Sequence, residues 1–132
     1  ITRFDGYKIK PHEVESIIKG YPSVQYCILS PIYDKEKFGN VAIADIVLQS
    51  HCIPSREEQV KLVDKLIHSQ FINNPEVSAR QIPAWFRFRE SLPMTVNSKI
   101  NYNALANEPL NGSEVAVCIE ETNISVGKIS VK

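Results

Sequence analysis

The sequence predicts a small α+β domain, with helices packed on a mixed or antiparallel sheet in the order β-α-β-β-α-β and a hairpin-like tail behind it. Three observations lead there. Two segments, beginning at Pro11 and at Ser55, repeat apolar residues with the period of a helix. Three shorter segments are dense in β-branched and aromatic residues. Between the first two of these lies a polar, glycine-bearing stretch of hairpin length, Asp34 to Asn40.

Pro11 to Lys19 is the first helix. Pro11 suits the first turn, where a missing N–H costs nothing, and Glu13 and Glu15 lie where the helix dipole favours anions. Val14, Ile17, Ile18 and Tyr21 form one apolar face, and Gly20 and Pro22 stop the helix. Val24 to Tyr33 and Val41 to Leu48 are strands expected to pair as an antiparallel hairpin. The second is apolar almost throughout, as for a strand covered on both faces. Ser55-Arg56-Glu57-Glu58 is a capping box. Val60, Val63, Ile67 and Phe71, widened by Leu62 and Leu66, give the helix behind it an apolar face up to Asn73-Asn74-Pro75. In Trp85 to Glu90 the phenylalanines at 86 and 88 alternate with Arg87 and Arg89, which places the phenylalanines in the core. Ser91 to Ser98 is a loop, Tyr102 to Ala106 at most a short helix, and Pro109 to Ser113 a linker. Val115–Ile119 and Ile124–Val131 then read as two short strands around Glu121-Thr122-Asn123.

Composition narrows the function. The 132 residues make one domain, and 43% of them are hydrophobic, enough for a modest core. Fifteen Lys and Arg balance fifteen Asp and Glu, which argues against a nucleic-acid footprint or an electrostatic membrane attachment. No apolar run approaches the roughly 20 residues of a membrane span. Cys27, Cys52 and Cys118 are widely spaced and lack zinc-ligand spacing. A reduced, cytoplasmic protein with no metal site is therefore expected. The lack of an initial methionine predicts a piece of a longer protein.

Most chemistry-bearing residues have ordinary explanations. His12, His51 and His68 have no carboxylate or cysteine at ligand spacing and suit surface or packing roles. Lys35-Glu36-Lys37 is a solvated turn. Gly127-Lys128 lacks the upstream glycine and the Ser or Thr of a phosphate-binding loop. Lys99 differs: Pro93 stiffens the loop before it, Asn97-Ser98 favours a turn, and Ile100 and Leu105 anchor the far side. A lysine so presented is a mobile cation suited to an anionic ligand or transition state.

Two segments carry a family resemblance. Gly6-Tyr7-Lys8-Ile9-Lys10-Pro11-His12-Glu13-Val14-Glu15 fits the pattern G-[FY]-[KR]-[IV]-x-P-x-E-[IV]-E at every defined place. Leu92 to Leu105 fits L-P-x-T-x-x-G-K-[IV]-[DN]-[RY]-x-x-L, with Ser98 in place of the glycine. Tyr21-Pro22-Ser23-Val24 and Ile82-Pro83 match smaller steps between them. In this order the segments resemble the C-terminal lid domain of the adenylate-forming superfamily: acyl- and aryl-CoA ligases, adenylation domains of nonribosomal peptide synthetases, and luciferases. The resemblance covers residues 1 to about 107.

The resemblance implies an enzyme that activates a carboxylic acid with ATP and Mg2+ as an acyl-adenylate. It then passes the acyl group to a thiol, coenzyme A or a carrier-protein phosphopantetheine. It makes residues 1–109 the lid, residues 110–132 a C-terminal β extension, and a large N-terminal domain the missing holder of the ATP and acid sites. Lys99 becomes the catalytic lysine of the first step. Gly6, Tyr7 and Lys8 become the loop on the thiol side in the second. Glu13 and Glu15 are expected to be structural, and Arg87 and Arg89 either to touch the large domain or to be solvated. The alone-standing chain is expected to bind no cofactor and to turn nothing over. The alternatives are the lid of a domain that loads a carrier protein, and a non-enzymatic α+β interaction module.

Overall fold

A computed structural model of the chain describes residues 1–120 and 123–126. The elements in chain order are α1 (Pro11–Lys19), β1 (Val24–Asp34), β2 (Gly39–Leu48), α2 (Arg56–Ile67), β3 (Trp85–Arg89), α3 (Tyr102–Asn107), β4 (Val115–Glu120) and β5 (Asn123–Val126). A π-helical turn, His68–Ile72, prolongs α2, and a 3-10 turn, Ala79–Gln81, precedes β3. Among the described residues no helix is long and apolar enough to cross a membrane. The expected α+β class holds, with the leading strand of the predicted order reduced to a single bridge between Thr2 and Lys8.

The sheet runs β1-β2-β3-β4-β5. β1 and β2 are the expected antiparallel hairpin, with Asp34 opposite Gly39 at the turn. Gly39 is required there by space: a Cβ would lie 2.6 Å from Cβ of Phe4. β3 runs parallel to β2, Ile43 opposite Trp85 and Val47 opposite Arg89, so the chain from α2 to Pro83 is the crossover that a parallel pair needs. β4 pairs antiparallel with β3, Trp85 opposite Ala116, and β5 with β4. The linker is ordered by a buried carboxylate: Glu114 accepts from the N–H groups of Asn111 and Gly112. Arg56 of α2 donates to the Ser113 and Glu114 carbonyls. The predicted second tail strand keeps residues 124–126. Its remainder, the Gly127-Lys128 pair, and Glu121-Thr122 of the predicted turn lie outside the described residues.

One core cluster unites α1 (Val14, Ile18), α2 (Val63, Leu66, Ile67), Phe71 and one sheet face, including Ala44, Ile46, Phe86 and Phe88. Of the predicted helix faces Val14, Ile18, Val63, Leu66, Ile67 and Phe71 are buried, whereas Ile17, Tyr21, Val60 and Leu62 are half-buried; Gln59 is buried, its amide donating to the Pro54 carbonyl. The capping box forms in both directions between Ser55 and Glu58. The other sheet face buries Ile28, Ile43 and Val47, together with Leu105 of α3. β2 is thus covered on both sides, which explains its nearly continuous apolar sequence. Glu15 is structural, but less through the helix dipole than by accepting from the Leu29 N–H at 2.8 Å, which ties α1 to the outer strand. Cys27 is buried and Cys118 is exposed.

Candidate active site: two matched hairpins

Both motif segments fold into the same local structure. In the second, Thr95 N–H donates to the Lys99 carbonyl at 2.7 Å and Ser98 N–H to the Thr95 carbonyl at 3.0 Å. A Met94–Ile100 bridge and an Asn101 N–H to Pro93 carbonyl bond close the legs. In the first, Arg3 N–H donates to the Tyr7 carbonyl at 2.8 Å and Gly6 N–H to the Arg3 carbonyl at 2.9 Å, inside a Thr2–Lys8 bridge. Each is a three-residue hairpin loop, Phe4-Asp5-Gly6 or Val96-Asn97-Ser98, whose third residue must turn left-handed. Gly6 has φ +86° and Ser98 φ +62°.

Within this chain Gly6 is called for by its conformation, since a Cβ built there meets nothing within 4 Å. Ser98 takes up the left-handed conformation of the glycine it replaces instead of shifting the loop. Such a conformation costs an L-residue about 1–2 kcal/mol, and the three backbone bonds made by Thr95, Ser98 and Asn101 hold it in place.

The surroundings differ. Lys99 is exposed, and its N–H donates to the Thr95 hydroxyl at 3.2 Å. Among the described residues its ammonium has no salt-bridge partner. Val96 at the tip is wholly exposed, and Met94 and Tyr102 are more than half exposed, so the lysine's hairpin carries apolar side chains left uncovered by the described residues. The Gly6 hairpin is instead docked. Phe4 N–H donates to the Asn40 carbonyl at the start of β2, and the Tyr7 hydroxyl accepts from Gln81 at 2.8 Å. Arg3 and Arg80 lie against the Tyr7 ring, while Lys8 is exposed. The first hairpin therefore sits at the beginning of β2. The second leaves β3 after Arg89, which pairs with Val47 near the end of β2. About 25 Å of strand separates those two points. The structure does not bring the two candidate loops together.

The largest departure from expectation is at Arg87 and Arg89. Arg87 is only 4% exposed and grips Asp45 with a fork, Nε to Oδ1 at 2.6 Å and Nη2 to Oδ2 at 3.1 Å. Arg89 donates Nε to Oδ1 of Asp45 at 2.8 Å and Nη2 to Glu108. Burial pulls the Arg89 guanidinium down, but the hydrogen bonds to Asp45 and Glu108 outweigh it and hold its pKa above the ordinary value. Arg87 is thus buried and not solvated, and Arg89 is half-buried. The partner that decides this is Asp45, 0% exposed in the middle of β2. Its signal in the sequence is a lone acid within the apolar run Val41 to Leu48. The three histidines are exposed, as expected.

Comparison with known proteins places this geometry. No protein-family model matches the chain. A D-alanine–D-alanyl carrier protein ligase of Streptococcus pyogenes serotype M5 (strain Manfredo) is 27% identical over 109 residues, 83% of this chain and 21% of the relative. Among solved structures, the anthranilate CoA ligase AuaEII in complex with anthranoyl-AMP superposes with a TM-score of 0.59 at 28% identity, over 76% of this chain and 18% of that one. The relatives are adenylate-forming ligases, and this chain corresponds to their C-terminal domain. An ATP-bound RpMatB-BxBclM chimera shares the fold, with a TM-score of 0.66 at 22% identity over 80% of this chain and 19% of that one. The chain spans about a fifth of the length of the curated relatives it matches.

Proposed function

We propose that the chain is the lid of an ATP-dependent, AMP-forming ligase that joins a carboxylic acid to a thiol, with coenzyme A as the acceptor. Its relatives are AMP-forming acid ligases, and the observation that carries the finer reading is the pair of matched hairpins at opposite ends of β2. Two half-reactions that use one large domain in turn need two separate faces of the small one. A lysine on one face and a glycine turn on the other supply them.

In the first half-reaction a carboxylate oxygen bonds to the α-phosphorus of ATP and the bond to pyrophosphate breaks. Negative charge gathers on the phosphoryl oxygens as the pentacovalent arrangement forms. Lys99, carried on a hairpin with three backbone hydrogen bonds, supplies a positioned ammonium to that charge. The apolar residues around it exclude water once a second domain covers them, which strengthens the interaction. In the second half-reaction the thiol attacks the acyl carbon and AMP leaves. Gly6, Tyr7 and Lys8 would then face the site, with the tyrosine hydroxyl held by Gln81 and its ring beside Arg3 and Arg80. The Mg2+ that accompanies ATP would find no ligand set in this chain: among the described residues no three His, Cys, Asp or Glu side chains are arranged to hold a metal.

A carrier-protein acceptor is the second reading, favoured by the likeness to a carrier protein ligase. The deciding experiment uses the full-length protein. Lys99→Ala is expected to lower acid-dependent pyrophosphate exchange a hundredfold or more, on the order of the loss of one oxyanion donor, and to spare thioester formation from preformed acyl-adenylate. A bulky residue at Gly6 is expected to do the reverse. Equal loss of both half-reactions would overturn the division of labour. Supplying coenzyme A or a phosphopantetheinylated carrier as sole acceptor separates the two readings.

A further inference from the structure

We propose that the cluster Asp45–Arg87–Arg89–Glu108, buried at Asp45 and Arg87, is the positioning device for Lys99, a role that rests on the function proposed above. The Lys99 hairpin has two legs. One continues from β3, which carries Arg87 and Arg89. The other runs into α3, whose first turn is capped by the Asn101 side chain accepting from the Ala104 N–H. At six residues α3 is too short to persist alone. It is held at its far end by Arg87, which donates to the Leu105 and Glu108 carbonyls at 3.2 Å each, and by Arg89, which donates to the Glu108 carboxylate. Both arginines converge on Asp45 of the covered central strand. The four side chains thus fasten both legs of the hairpin to the same point of the sheet.

A cluster of this kind is a poor way to gain stability, because buried ion pairs roughly return what their desolvation costs and an apolar set of the same volume often does as well. What it supplies is direction. An arginine fork fixes both distance and plane, whereas Leu105 alone would let a short helix slide. Electrostatic catalysis by a lysine depends on such placement, and an error near 1 Å can cost about a hundredfold. The Gly6 hairpin shares no member of the cluster: its partners are Asn40, Gln81 and Arg80. The device therefore serves one half-reaction only.

The test uses full-length protein carrying Glu108→Gln, which keeps an acceptor and removes the charge, or Arg89→Lys, which keeps the charge and removes the fork. Each is expected to lower kcat of pyrophosphate exchange by about ten- to a hundredfold, with KM for ATP and acid within about twofold of the parent, and to leave thioester formation from preformed acyl-adenylate within about twofold. Ile67→Val, a core change away from both hairpins, serves as the thermal control and must leave the ratio of the half-reactions unchanged. Hydrogen exchange supplies a second readout: residues 94–107 should exchange faster in both cluster variants, and residues 2–8 should not. Cluster variants that lower both half-reactions in step with the thermal control, or leave both intact, overturn the inference while Lys99→Ala still blocks adenylation. If Lys99→Ala leaves adenylation intact, the functional reading itself is what fails.

Discussion

Ser98 offers the sharpest test of the hairpin geometry, because its cost can be worked out from the structure. At φ +62° the residue bears about 1 kcal/mol of left-handed strain. Ser98→Gly removes that strain but gives the unfolded chain extra freedom worth about 0.5–1 kcal/mol. The two nearly cancel, so the variant should stay within about 0.5 kcal/mol of the parent. Ser98→Val places a β-branched residue in the same region, where it is an outlier, and should lose about a further 1–2 kcal/mol. Gly6→Ala is the mirror of the first exchange. Nothing lies within 4 Å of the new Cβ, so only backbone strain of about 1–2 kcal/mol counts, less an unfolded-state gain of about 0.5–1, for a net loss of up to about 1 kcal/mol at this larger φ. Thermal unfolding reads all three, since 1 kcal/mol moves the midpoint of a domain of this size by about 4 °C. The expected order is Ser98→Gly equal to the parent, then Gly6→Ala, then Ser98→Val. A valine variant as stable as the parent would mean that residue 98 is not left-handed in solution. A Gly6→Ala loss above about 3 kcal/mol would mean that Gly6 provides space after all, in excess of any backbone strain.

Further outcomes follow from other parts of the fold. Asp45→Ala strands a buried and a half-buried guanidinium group and should cost about 3–5 kcal/mol; urea titration measures it, and a loss under about 1 kcal/mol would contradict the burial of Asp45 and Arg87. Glu15→Ala deprives the Leu29 N–H of its acceptor and should cost about 1–3 kcal/mol, with Glu15→Gln much milder. A thiol reagent should modify Cys52 and Cys118 at once and Cys27 only on unfolding. Burial foremost, then the carboxylates of Glu15 and Asp45, pushes the Cys27 thiol up. Its folded pKa lies above the unfolded one, so its contribution to stability is complete below about pH 8.5 and is lost as pH rises through the thiol range. A pH series of unfolding midpoints should show that alkaline fall, weakened in Cys27→Val.

The elements that local rules govern could be read from the sequence. The capping box at Ser55, the face Val14–Ile18 and the doubly covered Val41–Leu48 all follow from spacing, and each is present. What spacing could not give was pairing across the sheet. Alternation in Trp85 to Glu90 assigned the phenylalanines correctly but sent the arginines to solvent, because the rule assumes that the face opposite the core is wet. Here α3 covers that face, and the ladder places Asp45 directly beside Arg87. The parallel register between residues 42 positions apart in the chain is a long-range fact, and only the acid in an apolar strand hinted at it. The tail was likewise read as a hairpin, but its place beside β3 depends on the same non-local pairing. The candidate site was legible as two motifs, but their identity as one hairpin type was not, since Gly6 and Ser98 look unlike until their φ angles are known.

That identity bears on how a domain of this size could serve two steps. A single mobile loop could in principle visit a neighbour twice. The structure offers instead two rigid loops of one design, each closed by the same two backbone bonds, launched about 25 Å apart along β2. Rigid loops at that separation cannot enter one cleft together, and small local motions cannot exchange them. If both act on a common site in a partner domain, the exchange has to come from rotation of the whole domain, with the sheet as the rigid body and a hinge outside both loops. Crosslinking therefore gives a clear expectation. In full-length protein, a cysteine placed at Val96 and one placed at Asp5 should each trap a bond to the large domain, but in mutually exclusive conformations. The first should be promoted by ATP with acid, the second by acyl-adenylate with thiol. A single conformation that traps both would remove the need for rotation and, with it, the reason proposed here for two hairpins.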